Sequence, residues 1–221
     1  KIADILLRII PFFELEVFGQ EYLNRQNTDS QPRIWVSNHV SEVDILIFLV
    51  LAGRFGMKNG GRPIKILYWK SLEKYPLLRL FLKTAGMIPV DMENTGYEVD
   101  NKYKLESIKS MMKLMSKAIE EGFDVAILPE GRRNPDAPTL AKAFPGAYRL
   151  SKKHKVPINL IGTHGVEQFW NVEDGLHARS RKISIKCWPT ATYESQDAFM
   201  EAFYDNLGHW AVAKKDIQEC A

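Results

Sequence analysis

His39 stands five residues ahead of Asp44 in the run Ser37-Asn38-His39-Val40-Ser41-Glu42-Val43-Asp44. An imidazole takes up a proton near neutral pH, and a carboxylate within reach fixes its tautomer and stabilises the imidazolium that forms. If the loop folds the ring back onto Asp44, the pair is a general base with its orienter. A plainer reading competes with this one. Ser41 and Asp44 resemble a capping box with Asp in place of Glu, and an aspartate in a first helical turn favours the helix dipole. The second run suited to chemistry is Leu128-Pro129-Glu130-Gly131-Arg132-Arg133-Asn134-Pro135. Gly131 allows a tight turn, Arg132 and Arg133 present permanently charged forks that match phosphate oxygens, and Glu130 is placed to hold one of them. Taken alone, the same residues also describe a solvated arginine pair with an exposed salt-bridge partner.

Both runs depend on elements that bring them together. Each follows a short apolar, β-rich stretch, and strand-to-helix turns at the carboxyl edge of a sheet are where functional groups collect in α/β folds. Strands are predicted over 33–37, 64–68, 87–90, 125–128, 156–161 and 182–188. Helical patterns lie between and after them at 41–53, 71–85, 103–121, 139–154 and 196–215. The third helix has the clearest phase, with Leu105, Ile108, Met112, Met115 and Ile119 recurring at three- and four-residue steps. This alternation predicts an α/β fold, a mostly parallel or mixed central sheet flanked by helices in a single domain. The first 32 residues are expected to form an amphipathic helix and linker, with the domain over 33–221. Within 2–18, Ile5, Leu6, Ile9, Ile10, Phe12 and Phe13 are apolar and Pro11 interrupts. Such a helix either lies along a membrane or packs on the domain's own core. A second stretch with interfacial character runs from Tyr68-Trp69-Lys70 to Leu82-Lys83, where aromatic, leucine and basic residues mix.

Composition narrows the chemistry. The chain has 221 residues, 45% of them hydrophobic and 26% charged, which suits one globular core. Its longest uninterrupted apolar stretch, 45–52, is far short of the roughly 20 residues that span a bilayer. The first residue is Lys1 rather than methionine, so an anchoring or targeting segment upstream is compatible with the sequence. Two cysteines, Cys187 and Cys220, form neither a C-x-x-C pair nor a disulfide framework, which fits a reducing compartment and gives no metal site. A formal charge of +3 is too mild for a dedicated nucleic-acid binder and suits an anionic membrane or a phosphorylated substrate. No Gly-x-Ser-x-Gly elbow, His-Glu-x-x-His helix or Gly-x-Gly-x-x-Gly loop occurs, so a serine hydrolase, a zincin and a dinucleotide enzyme have no support.

The ordered blocks Asn38-His39 to Asp44, Gly86-Met87-Ile88-Pro89-Val90-Asp91, Glu130-Gly131-Arg132-Arg133-Asn134 and Val156-Pro157-Ile158 resemble those of the glycerolipid acyltransferase family, which includes the 1-acyl-glycerol-3-phosphate acyltransferases. Lys70-Ser71-Leu72 to Pro76 is similar to the family's lysine-containing stretch. The resemblance covers about residues 33 to 163 and makes 33–221 an acyltransferase domain. It implies that His39, oriented by Asp44, activates the free hydroxyl of a lysophospholipid, chiefly 1-acyl-glycerol-3-phosphate, for attack on an acyl thioester. Acyl-CoA or acyl carrier protein would be the donor and co-substrate, with no further cofactor. Arg133 would hold the acceptor phosphate, Glu130, Gly131 and Arg132 would organise its pocket, and Lys70 and Asp91 would complete the substrate site. The expected setting is intracellular and membrane-associated, peripheral or anchored by a segment outside the given chain. Other acceptors (glycerol-3-phosphate, another lysophospholipid, a glycolipid) or a non-catalytic lipid-binding module are the alternatives. Two departures bear on the acceptor: Met92 stands where the family has arginine, and Arg132 where it has threonine.

Overall fold

A computed structural model describes residues 13–23, 31–41, 44–56, 62–91, 105–131, 133–134, 139–166 and 181–210. Seven strands, β1 (Phe13–Phe18), β2 (Ile34–Ser37), β3 (Ile64–Trp69), β4 (Ile88–Val90), β5 (Asp124–Ile127), β6 (Ile158–His164) and β7 (Arg181–Cys187), form one sheet in the order β1-β7-β6-β2-β5-β3-β4. Every neighbouring pair is parallel except β6 with β7. The five strands from β6 across to β4 therefore end at one common edge. β2, β5 and β6 are buried along their whole lengths, as strands covered on both faces must be, whereas β3 alternates between buried and half-buried.

Helices α1 (Asp44–Leu51) and α2 (Pro76–Thr84) cover one face, where Ile47, Phe48, Leu51 and Leu82 pack with Trp35, Ile66 and Ile161. On the other face, α3 (Leu105–Glu120), α4 (Gly146–His154) and α5 (Gln196–Phe203) bury Met115, Ile119, Leu150, Phe199 and Phe203 against Ile34, Val36, Val125 and Leu160. Strand alternation sends Trp35 to one core and its neighbours Ile34 and Val36 to the other. At the end of the sheet away from the common edge, buried Asp124 accepts from Arg33 N–H at 2.9 Å and from the Trp35 indole at 3.0 Å, locking β2 to β5.

The six predicted strands are present, and the α/β class with a mixed, helix-flanked sheet is the observed one. Three local expectations need correction. Phe13–Phe18 is a strand and not the end of a helix; Leu15 and Val17 pack on the core while Glu14 is exposed, a two-residue period, and the whole stretch pairs with β7. Residues 1–12 lie outside the described residues. The helix expected from 139 begins only at Gly146, because Ala141, Ala143 and Phe144 give their N–H groups to Glu130, the Tyr204 hydroxyl and Pro129. The helix expected over 71–85 divides into a 3-10 turn, Lys70–Lys74, and α2, since Tyr75 before Pro76 is held extended.

Candidate active site

His39 leaves the end of β2 and Asp44 opens α1. His39 Nδ1 lies 2.9 Å from Asp44 Oδ2, and the same oxygen accepts the N–H groups of Val40 at 2.9 Å and Ser41 at 3.0 Å. The Ser41 bond is the carboxylate half of the predicted capping box, so both readings of this run hold at once: one oxygen caps the helix and holds the imidazole. A carboxylate only accepts, so neutral His39 carries its hydrogen on Nδ1 and presents the Nε2 lone pair. The Asp44 side chain is 1% exposed and that of His39 21%, which leaves the ring reachable while its orienter is sealed.

The β5 loop grips the backbone of the same histidine. Leu128 O accepts from Gly131 N–H at 3.0 Å, closing a tight turn in which Gly131 takes φ 68°, a left-handed value suited to glycine. That turn buries Glu130, whose Oε1 accepts His39 N–H at 2.8 Å and whose Oε2 accepts Ala141 N–H at 2.7 Å. Asn134 N–H in turn donates to His39 O at 2.7 Å. Burial pushes the Glu130 carboxyl above its ordinary value, partly opposed by the two backbone donors. Its two oxygens tie the β2 loop and the segment before α4 to the β5 turn.

Asn38 performs a similar task on the other flank of β2. Its amide donates to Thr163 O at 2.9 Å and accepts Thr163 N–H at 2.8 Å and the Thr163 hydroxyl at 3.2 Å. A side chain thus continues the β2–β6 ladder one step past the Ser37–Ile161 pair, where the backbone has already turned towards His39. Sequence reasoning gave Asn38 no role beyond membership of a motif, and no spacing signal points to a partner 125 residues away.

The remaining expected residues share the same edge. Arg133 is half-buried in the loop after β5; Lys70 is exposed at the end of β3; Asp91 is half-buried after β4, its N–H bonded to the Ser107 hydroxyl at 2.7 Å. Arg132 and Met92 lie outside the described residues. Along the order β2-β5-β3-β4, strands spaced by about 4.8 Å put the β5 loop next to His39, the end of β3 roughly 10 Å away and the end of β4 roughly 14 Å away. The arrangement is a partly open imidazole adjoining an arginine-bearing turn, with a lysine and an aspartate farther along the edge.

Comparison with known proteins bears on the fold and the family. A relative from Arabidopsis thaliana, the 1-acyl-sn-glycerol-3-phosphate acyltransferase LPAT1, chloroplastic, is 28% identical over 160 residues, which is 71% of this chain and 38% of that protein's length. The crystal structure of the 1-acyl-sn-glycerophosphate (LPA) acyltransferase PlsC from Thermotoga maritima superposes with a TM-score of 0.71 over 97% of this chain and 78% of that one; at 16% identity the likeness is one of fold. The Acyltransferase family model matches residues 14–161, from β1 into β6 and through both loops at the edge. On that match, which takes in well over half of its residues, the chain belongs to the Acyltransferase family.

Proposed function

We propose that the protein moves a fatty acyl group from an acyl thioester, acyl-CoA or acyl carrier protein, to the free hydroxyl of 1-acyl-glycerol-3-phosphate, giving phosphatidic acid. The observation that carries this reading is the bond from His39 Nδ1 to buried Asp44, which fixes the ring so that Nε2 is presented as a base. Nε2 takes the hydroxyl proton as that oxygen attacks the thioester carbonyl. The tetrahedral intermediate collapses with cleavage of the C–S bond, and the departing sulfur receives the proton from the imidazolium. Ester and thiol leave, and His39 returns to its neutral form. Asp44 holds the tautomer before the transfer and stabilises the imidazolium during it.

Family membership supports the reaction class, and the names of the Arabidopsis and Thermotoga proteins support the acceptor. Arg133 is the residue proposed for the acceptor phosphate, because its loop adjoins that of His39 and a guanidinium fork matches two phosphate oxygens. Lys70, two strands away, adds a point charge for the same anion, and Arg132 supplies the charge that Met92, after the Gly86–Asp91 block, lacks. The acceptor is a membrane lipid, so the proposed site of action is a membrane surface inside the cell. No helix among the described residues is long and apolar enough to cross a membrane.

Purified protein incubated with acyl-CoA and a panel of lysolipids, with products identified by mass spectrometry, tests the proposal. Phosphatidic acid is the expected product, and His39→Ala is expected to cut turnover by about a hundred- to ten-thousand-fold with its melting temperature preserved. A folded His39→Ala protein with wild-type turnover removes His39 as the base. Preferred acylation of another headgroup changes the acceptor, and transfer to none beside an active control leaves a lipid-binding module.

A further inference from the structure

At about 3.6 residues per turn, the side of α2 opposite buried Leu82 carries Leu77, Leu80 and Thr84. A helix on the surface of a globular domain ordinarily puts charge there. Here Leu77 is 84% exposed and Leu80 63%, with Tyr75 at 53% just ahead of the helix. Exposed leucines are unremarkable singly, but these stand together on the outer side of one short helix. The charged residues of α2 sit to one flank, where Glu73 gathers Lys83 at 3.3 Å and Arg79 at 3.9 Å and accepts the Tyr68 hydroxyl at 2.8 Å. Lys74 lies over the Tyr75 ring, 5.0 Å from its centroid. From Lys70 to Thr84 the chain has four cations and one carboxylate, Glu73.

We infer that α2 is a lipid-docking element whose exposed apolar residues, Leu77 and Leu80 with Tyr75 just ahead, enter the interface of an anionic membrane while Lys74, Arg79 and Lys83 meet its headgroups. The occupant follows from the pattern itself: apolar side chains bordered by basic ones match acyl tails beneath negative headgroups, and long basic stems reach outward past buried leucines. Position gives the second argument. The chain enters the 3-10 turn and α2 directly from the end of β3, so the N-terminal end of the helix lies at the edge that holds His39 and the β5 turn. Phe144, 51% exposed and bonded through its N–H to Pro129 O, puts another exposed aromatic ring at that edge. A membrane taken by this surface delivers its lipids where the base stands. The choice of a lipid as occupant rests on the acceptor proposed above.

Flotation of the full chain with vesicles tests this directly. With vesicles of equal parts phosphatidylcholine and phosphatidylglycerol the wild type is expected to float, less with phosphatidylcholine alone and less again in high salt. Leu77→Ser with Leu80→Ser is expected to lower partitioning about tenfold or more, since each lost leucine removes a large apolar area. Leu114→Ser, at an exposed leucine on α3, leaves flotation unchanged. Circular dichroism confirms that each variant is folded. Transfer to a short-chain acceptor below its aggregation concentration is expected to be equal in the double variant and the wild type, so a failure of the acyl-transfer reading shows there and not in flotation. A folded double variant that floats like the wild type overturns the inference. So does one that loses a dimer by light scattering with its flotation intact, which makes the occupant a second copy of the chain.

Discussion

Replacing Glu130 by glutamine removes an acceptor and adds a donor at a point where two backbone N–H groups converge, those of His39 and Ala141. One of the two must then face an amide N–H, donor against donor, inside a buried site. The expected cost is about 1–3 kcal/mol of stability, together with a fall in kcat because the peptide that carries His39, the proposed base, is no longer held. KM for the acceptor should change little. Arg133→Ala is expected to behave differently, with KM for a phosphorylated acceptor rising and kcat falling, and with Arg133→Lys intermediate because charge remains but the fork is lost. Thermal melts and kinetics at saturating donor separate the two residues. A Glu130→Gln protein that melts like the wild type but has a raised acceptor KM would return Glu130 to the substrate. The difference between Glu130 and Asp44 also explains what was readable beforehand. Asp44 and His39 are five residues apart, so local geometry joins them, whereas Glu130 meets His39 across 91 residues and only the adjacency of β2 and β5 brings it there.

Elements decide whether those residues meet, and the junction of β2 with β6 is where one side chain acts as backbone. Asn38→Ala leaves the Thr163 N–H and carbonyl without their present partner in a buried setting. A loss of roughly 1–3 kcal/mol is expected, a few degrees in melting temperature for a chain of this size. Asn38→Asp keeps the shape but sets a carboxylate oxygen against the Thr163 carbonyl, so it should cost at least as much. In both variants acyl transfer should fall, because His39 follows directly. Melting curves that overlay the wild type would show that the ladder continues without Asn38. Six of the seven strands were legible because short β-rich runs with apolar cores are sufficient signal, whereas β1 was hidden in an apolar run read as helical; α3 was legible from its three- and four-residue period. Helix beginnings were less so. The 139–145 segment has helical apolar spacing, yet its N–H groups are claimed by Glu130, Pro129 and Tyr204, partners that a periodicity count cannot contain.

At the scale of the whole molecule, β1 joins the amino-terminal part of the chain to the sheet. It pairs with β7 from Phe13 to Phe18, Leu15 and Val17 pack against the cluster that contains Ile183, Ile185 and Cys187, and Glu16 meets Lys182 at 3.2 Å. The chain then turns at Gly19, φ 69°, where a Cβ atom would lie 2.2 Å from Cys187 O, so no other residue fits that approach. Farther on, Arg33 Nη1 donates to Tyr22 O at 3.0 Å, tying this turn to the start of β2. An amphipathic segment separable from a domain beginning at residue 33 would have none of these ties, and the family match itself begins at residue 14. A chain lacking residues 1–18 is therefore expected to lose more than membrane contact. Removing Leu15 and Val17 from the core costs about 2–4 kcal/mol, a large share of the roughly 5–15 kcal/mol that holds a domain together. The truncation also uncovers β7 as an edge with unpaired N–H and carbonyl groups, which favours association between chains. A lower melting temperature and a shift to larger species on size exclusion are the expected results, whereas Glu16→Ala, which loses the partly exposed ion pair with Lys182 and the long bond from the Ser184 hydroxyl at 3.4 Å but no apolar core contact, should change melting far less. A truncated protein that stays monomeric and melts with the wild type would show β1 to be dispensable, and would leave β7 able to close the sheet alone.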